Sequence, residues 1–375
     1  MQITLSYSLA FAIQASAASV VPLPELTGPY KIGTSVLELV DSSRTDPFAP
    51  TIQSRDLVIS LFYPTDSQAE CILTLQFPPL TAAYIDGVYN DTNDSAERIL
   101  TQSCLDSPLS HPELPLLLFG PGFSNSRTYY SAELEEIASH GFNVVSVDHP
   151  YDTAIVEYPD GHAVYSKDSA LTNATSEEYL GVRVADMKFV LDALSDPSTV
   201  SRIPGLDATV SLPTSKVGAF GHSFGGATSL QLLASDSRFA VGANHDGILF
   251  GSVIQDGTDS PFVLFGTNPR VINGSDDETW IEAWGNLRGF KRQYGVNGTE
   301  HGAFTDFPII RDLLGEEAPP AIDNGLGTIS GQRIINIENA YMTALFGRFL
   351  KDEAGELLDG EGSEDWPEVV LMREN

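Results

Sequence analysis

The stretch Val217-Gly218-Ala219-Phe220-Gly221-His222-Ser223-Phe224-Gly225-Gly226 constrains this chain more than any other. In it an apolar run meets Gly-x-Ser-x-Gly and then a helical pattern through Ala227, Leu230 and Leu233. A strand that becomes a helix within one residue brings two backbones so close that Gly221 and Gly225 must lack side chains. Ser223, at the point of that turn, is held out at the edge of the sheet, which makes it the candidate nucleophile.

The surrounding pattern fits a strand of this kind. From about residue 114 onward strands and helices alternate, as in a mostly parallel sheet with helices on both faces, an α/β architecture. Leu114 to Phe119 is continuously apolar, as expected of a strand buried on both sides. A helix is expected over Thr128 to His140 and a strand over Phe142 to Val147, ending at Asp148-His149-Pro150. A long helix over Ser176 to Ser195 places Leu180, Val184, Met187, Leu191 and Leu194 on one face. Phe239 to Ala243, Phe262 to Phe265 and Phe290 to Val296 read as further strands, and Ile335 to Phe349 as a closing helix. Residues 20 to 110 read as a β-rich entry whose clearest strand is Leu57 to Tyr63.

Residues 1–18 carry no charged side chain and hold an apolar run ending in Ala15-Ser16-Ala17, the pattern of a secretory leader. A leader gives meaning to Cys71 and Cys104, the only 2 cysteines: an oxidising compartment would pair them across a loop-rich insert at about 65–110. The sequons at Asn90, Asn93, Asn173, Asn273 and Asn297 would then be surface sites of glycosylation. The expected layout is a leader at 1–18, a catalytic domain at 19–350 and a solvated acidic tail at 351–375, with the protein outside the cell. A formal net charge of −31 excludes nucleic acid as a partner and disfavours anionic membranes, leaving at most peripheral membrane contact.

A serine hydroxyl is a poor nucleophile near neutral pH, so Ser223 needs a histidine base, and the histidine a carboxylate to orient it. On a fold with this turn both follow the serine in the chain. Of the 7 histidines, His111, His140, His149 and His162 precede Ser223, His222 sits inside the turn, and His245 comes before every later acid. His301, in the loop Asn297-Gly298-Thr299-Glu300-His301-Gly302, fits. For the acid, Asp246 at the end of the strand from Phe239 is preferred over Asp276 or Asp277, which lie deeper in a loop. Stabilising an oxyanion takes the N–H after the nucleophile, that of Phe224, and one from the loop Phe119-Gly120-Pro121-Gly122-Phe123. Pro121 has no N–H, so Phe123 or Gly122 supplies the second.

With these residues in view the chain resembles the plasma-type platelet-activating-factor acetylhydrolases and their fungal relatives, within the α/β-hydrolase superfamily. The resemblance rests on Gly221-His222-Ser223-Phe224-Gly225-Gly226, on Ala138-Ser139-His140-Gly141-Phe142 leading to Asp148-His149, and on Asp246 following the turn. It places nucleophile, acid and base on Ser223, Asp246 and His301, and the oxyanion donors on Phe123 and Phe224. It implies calcium-independent hydrolysis of short-acyl esters, a small-molecule or lipid ester as substrate, and neither cofactor nor metal. A polyester- or cutin-degrading hydrolase shares the same turn and fold, and a non-catalytic binding module on a hydrolase fold is the reading from a different class.

Overall fold

The computed structural model describes residues 19–67, 71–167, 173–272 and 274–375. The leader at 1–18 and the sequon asparagine Asn273 lie outside the described residues. The strands used below are β1 (Lys31–Thr45), β2 (Ser54–Thr65), β3 (Ile99–Leu105), β4 (Leu116–Gly120), β5 (Asn143–Asp148), β6 (Val217–His222), β7 (Phe239–His245), β8 (Phe262–Asn268), β9 (Lys291–Asn297) and β10 (Val369–Glu374). With two short strands, Val21–Pro22 and Leu73–Leu75, they form a 12-stranded sheet among the described residues. Its order from Val21–Pro22 is β3-β1-β2-β5-β4-β6-β7-β8-β9-β10, with Leu73–Leu75 pairing β3. The run from β5 to β9 is parallel throughout. Antiparallel pairing occurs between β1, β2 and β5, and where β10 closes the far edge on β9.

The parallel strands are continuously apolar because both their faces are covered, and alternate residues enter different cores. Leu116 and Leu118 of β4, Val145 and Val147 of β5, and Phe262 and Leu264 of β8 enter one core. Leu117 and Phe119, Val144, and Val263 and Phe265 enter the other. Helices α3 (Asn173–Ala193), α4 (Phe224–Ser235) and α5 (Glu278–Asn286) cover the first face. Helices α2 (Ser131–Ser139), α6 (Phe307–Leu314) and α7 (Gly331–Leu350) cover the second. The α/β-hydrolase architecture expected from the sequence is what is found.

Three features differ in detail. The entry region is not wholly β: Pro79–Tyr89 forms a helix, α1, with proline in its first turn. The helix expected from Thr128 begins with a 3₁₀ turn, Arg127–Tyr130, before α2. The acidic segment 351–375 is not a free solvated tail, because it ends in β10, and Leu358 is buried while its carbonyl accepts from Arg292. The apolar run Val369-Val370-Leu371-Met372 finds in β9 an unpaired edge, and edge pairing satisfies backbone groups that the local acidic composition does not reveal. Cys71 and Cys104 are bonded to each other with Cα atoms 5.0 Å apart, as expected. Asn90, Asn93 and Asn297 are exposed, and Asn173 opens α3. Among the described residues no helix is long and apolar enough to cross a membrane.

Candidate active site

The nucleophile turn lies between β6 and α4. Gly221 of β6 pairs in register with Gly120 of β4, and a Cβ on Gly225 would lie 1.8 Å from the Gly120 carbonyl oxygen. That contact, and 2.4 Å from the same oxygen for a Cβ on Gly221, explains both glycines. Ser223 itself has φ 55° and ψ −120°, a conformation that costs free energy and is held by the packing around it. Its N–H donates to the His245 carbonyl at the end of β7, 2.8 Å away.

Asp246 follows β7 directly, and its N–H donates in turn to Phe265 of β8. The chain after β9 carries His301 back over these strand ends. The ends of neighbouring strands thus bring Ser223, Asp246 and His301 together. His301 Nδ1 lies 2.7 Å from Asp246 Oδ2, and His301 Nε2 lies 3.0 Å from Ser223 Oγ. An ionised carboxylate only accepts, so Nδ1 carries the proton and Nε2 is left to accept from the serine hydroxyl. Asp246 is 2% exposed while the His301 side chain is 54% exposed, so the acid is shielded and the base faces solvent. Burial alone would raise the Asp246 pKa. The hydrogen bond from His301 and the charge of Arg270 outweigh it and hold the carboxyl at about 2.

Asp276 and Asp277, the alternatives for the acid, are placed elsewhere. Asp276 is exposed on a short hairpin, and Asp277 caps α5, its Oδ1 accepting from the N–H groups of Thr279 and Trp280. The choice between Gly122 and Phe123 also narrows. The Gly122 N–H donates to the Tyr130 hydroxyl at 3.0 Å, leaving Phe123 of that pair for an oxyanion. Phe224, the other candidate donor through its N–H, opens α4.

The family model described as "Platelet-activating factor acetylhydrolase, isoform II" matches residues 15–183 and 207–318. The chain belongs to this platelet-activating factor acetylhydrolase family. A relative named "Probable 1-alkyl-2-acetylglycerophosphocholine esterase", from Arthroderma benhamiae, is 30% identical over 97% of each chain. The platelet-activating factor acetylhydrolase of Cavia porcellus is 25% identical over 93% of this chain and 84% of its own. Among solved structures, a ferulic acid esterase from Streptomyces cinnamoneus superposes with a TM-score of 0.80 at 29% identity, covering 95% of this chain and 100% of that one.

Around the three residues, this acetylhydrolase-family member builds supports that sequence reasoning missed. Arg270 bridges two acids: its guanidinium donates to Asp246 Oδ1 at 2.6 Å and pairs with Asp277 Oδ2 at 3.0 Å. The Thr267 N–H also donates to Asp246 Oδ1, at 2.8 Å. Arg183 of α3 is fully buried, pairs with both oxygens of Asp152, and donates to the carbonyls of Pro121 and Gly122. One side chain therefore fixes the loop that carries Phe123. Both ring nitrogens of His222 are engaged by groups other than the serine. Burial keeps its ring neutral by pushing its pKa well down, so Nε2–H donates to the His301 carbonyl while Nδ1 accepts from Tyr130. Tyr130 thereby links the oxyanion loop to the backbone of the base. None of these roles has a local signature, because the partners are backbone groups and side chains that only the fold brings together.

Proposed function

We propose that this chain is a secreted serine carboxylic-ester hydrolase that cleaves short-acyl esters, including the sn-2 acetyl group of platelet-activating-factor-like phospholipids, without calcium. The hydrogen-bonded line Asp246–His301–Ser223, with the serine on its strained turn, carries the reading. In this mechanism His301 Nε2 takes the proton of Ser223 Oγ as that oxygen attacks the ester carbonyl carbon. The carbonyl oxygen, now negative, receives the N–H groups of Phe224 and Phe123. His301 returns the proton to the leaving alcohol, and water, activated by the same imidazole, then releases the acid from the acyl-enzyme. Asp246 stays ionised throughout and stabilises the imidazolium.

The choice of short acyl groups rests on the relatives' names, a probable 1-alkyl-2-acetylglycerophosphocholine esterase and a platelet-activating factor acetylhydrolase. Secretion is supported by the leader-like residues 1–18 and by a disulfide of the kind that persists in oxidising compartments. A second reading, an esterase for aromatic acyl groups, is favoured by the likeness to the ferulic acid esterase and by a chain of ring contacts, Tyr179–Phe123–Phe224–Phe250, that includes the candidate oxyanion residues. A panel of matched acetyl, butyryl, palmitoyl and feruloyl esters decides between them. The first reading expects kcat/KM to be highest for acetyl and to fall at least about tenfold, some 1.4 kcal/mol of transition-state binding, by palmitoyl. A preference for feruloyl would replace it with the second.

A further inference from the structure

Behind the acid of the site lies a buried cluster that ester hydrolysis does not use. His245, the last residue of β7 and neighbour of Asp246, places Nδ1 3.5 Å from Glu133 Oε1 of α2 and 3.4 Å from Glu338 Oε1 of α7. One ligand atom from each of the three lies within 4.8 Å of the others. The side chains are 0%, 3% and 2% exposed. Both oxygens of Glu133, both ring nitrogens of His245 and Glu338 Oε1 have no hydrogen-bond partner among the described residues. The rings of Phe220, Phe265 and Phe304 stand around the imidazole. So many unpaired polar atoms converging inside an apolar wall are costly to leave unmatched, and native interiors rarely do so.

We propose that Glu133, His245 and Glu338 form a buried site for one zinc-class divalent cation. Two carboxylates and a neutral imidazole cancel a charge of +2, so the filled site is neutral where the surroundings are apolar. The donor set, one nitrogen and two carboxylates, is of the borderline kind that suits zinc or its first-row neighbours, whereas calcium takes 6–8 oxygens. Ligand atoms about 2.0–2.1 Å from a tetrahedral zinc stand roughly 3.3–3.4 Å apart, and His245 Nδ1 stands 3.5 Å from Glu133 and 3.4 Å from Glu338, within about 0.2 Å of that spacing. The second oxygen of Glu133 is available as a further ligand from the same carboxylate. Without a cation, burial forces the three toward neutral forms, pushing both glutamate pKa values well up and that of His245 down to about 3. Asp306, a further buried carboxyl nearby, accepts from the N–H of Ala132 at 2.9 Å and from Gln76 at 2.7 Å, and its charge adds to the burial that raises both glutamates. The cation would tie α2 and α7 to the strand that presents Asp246, a bracing role remote from the ester. The ligands come from three distant segments, which is why no spacing in the sequence suggests a metal.

The test is elemental analysis of untagged protein from metal-replete growth, followed by unfolding in chelator and refolding with or without zinc. The expected result is about one equivalent of zinc or a first-row relative per chain, regained on refolding with zinc together with a higher Tm. X-ray absorption at the metal edge should show nitrogen and oxygen neighbours and no sulfur. Glu338→Gln should lose most of the metal. Should that variant not fold, the wild-type stoichiometry still decides. Less than about a tenth of an equivalent after refolding in excess zinc, with an unmoved Tm, would overturn the proposal. Full metal content in folded Glu338→Gln would do the same.

Discussion

At the residue scale, three side chains and their spacing were legible because their chemistry dictates where they fall. Ser223 was marked by glycines that only a strand-to-helix turn needs, His301 by elimination along the chain, and Asp246 by its place at a strand end. Arg270 was not legible, since nothing near it in sequence shows that its guanidinium would reach both Asp246 and Asp277. Asp246→Asn should lower kcat by on the order of 10⁴, by allowing the wrong tautomer of His301. Asp276→Asn should be near neutral, being exposed and away from the ring. Steady-state kinetics of the two purified variants checks this, and equal losses would remove Asp246 from its role.

At the element scale, the alternation of strand and helix was readable from residue 114 onward because each parallel strand is apolar on both faces. What local pattern did not convey was pairing. β10 exists because β9 offers it an edge, and α3 matters for more than its apolar stripe, since Arg183 reaches the oxyanion loop from it. Arg183→Lys keeps a positive charge near Asp152 but cannot hold a carboxylate and two carbonyls at once. It should lower kcat by on the order of 10², with KM changed much less, because the donor on Phe123 is then misplaced only for the oxyanion. Unchanged kcat in a folded variant would contradict that role. The disulfide closes the insert across a sequence separation of 33. Replacing both cysteines by serine should cost roughly 3–4 kcal/mol in the chain-entropy model, read as a shift of the urea midpoint. A midpoint unmoved by the double substitution would show that the insert is held by packing alone.

At the scale of the whole molecule, composition told more about partners than about stability. A net charge of −31 argued against nucleic acid, yet the acids that matter for the fold are buried ones that no tally distinguishes. Asp186 is fully buried and paired with Arg55 at 2.7 Å, with His149 at 2.9 Å beside it. Burial opposes its ionisation, but the charge of Arg55 and the hydrogen bonds outweigh it and hold its pKa below the usual carboxylate range. A carboxyl depressed in the folded state adds stability above its unfolded pKa of about 4, and that stability is lost as pH falls below it. Asp186→Asn, which leaves Arg55 short of a partner, should cost about 3–5 kcal/mol at neutral pH. The difference from wild type should shrink below about pH 4, as followed by denaturant unfolding across pH. A difference constant from pH 7 to pH 3 would show that the pair does not act through charge.

Whether Ser223 is a nucleophile activated by His301 is decided by mapping a fluorophosphonate adduct with peptide mass spectrometry. One adduct is expected, on Ser223, absent from Ser223→Ala and formed far more slowly in His301→Ala, while both variants keep the wild-type fold by circular dichroism. A folded wild-type protein that stays unlabelled, or an adduct on any other residue, would contradict it.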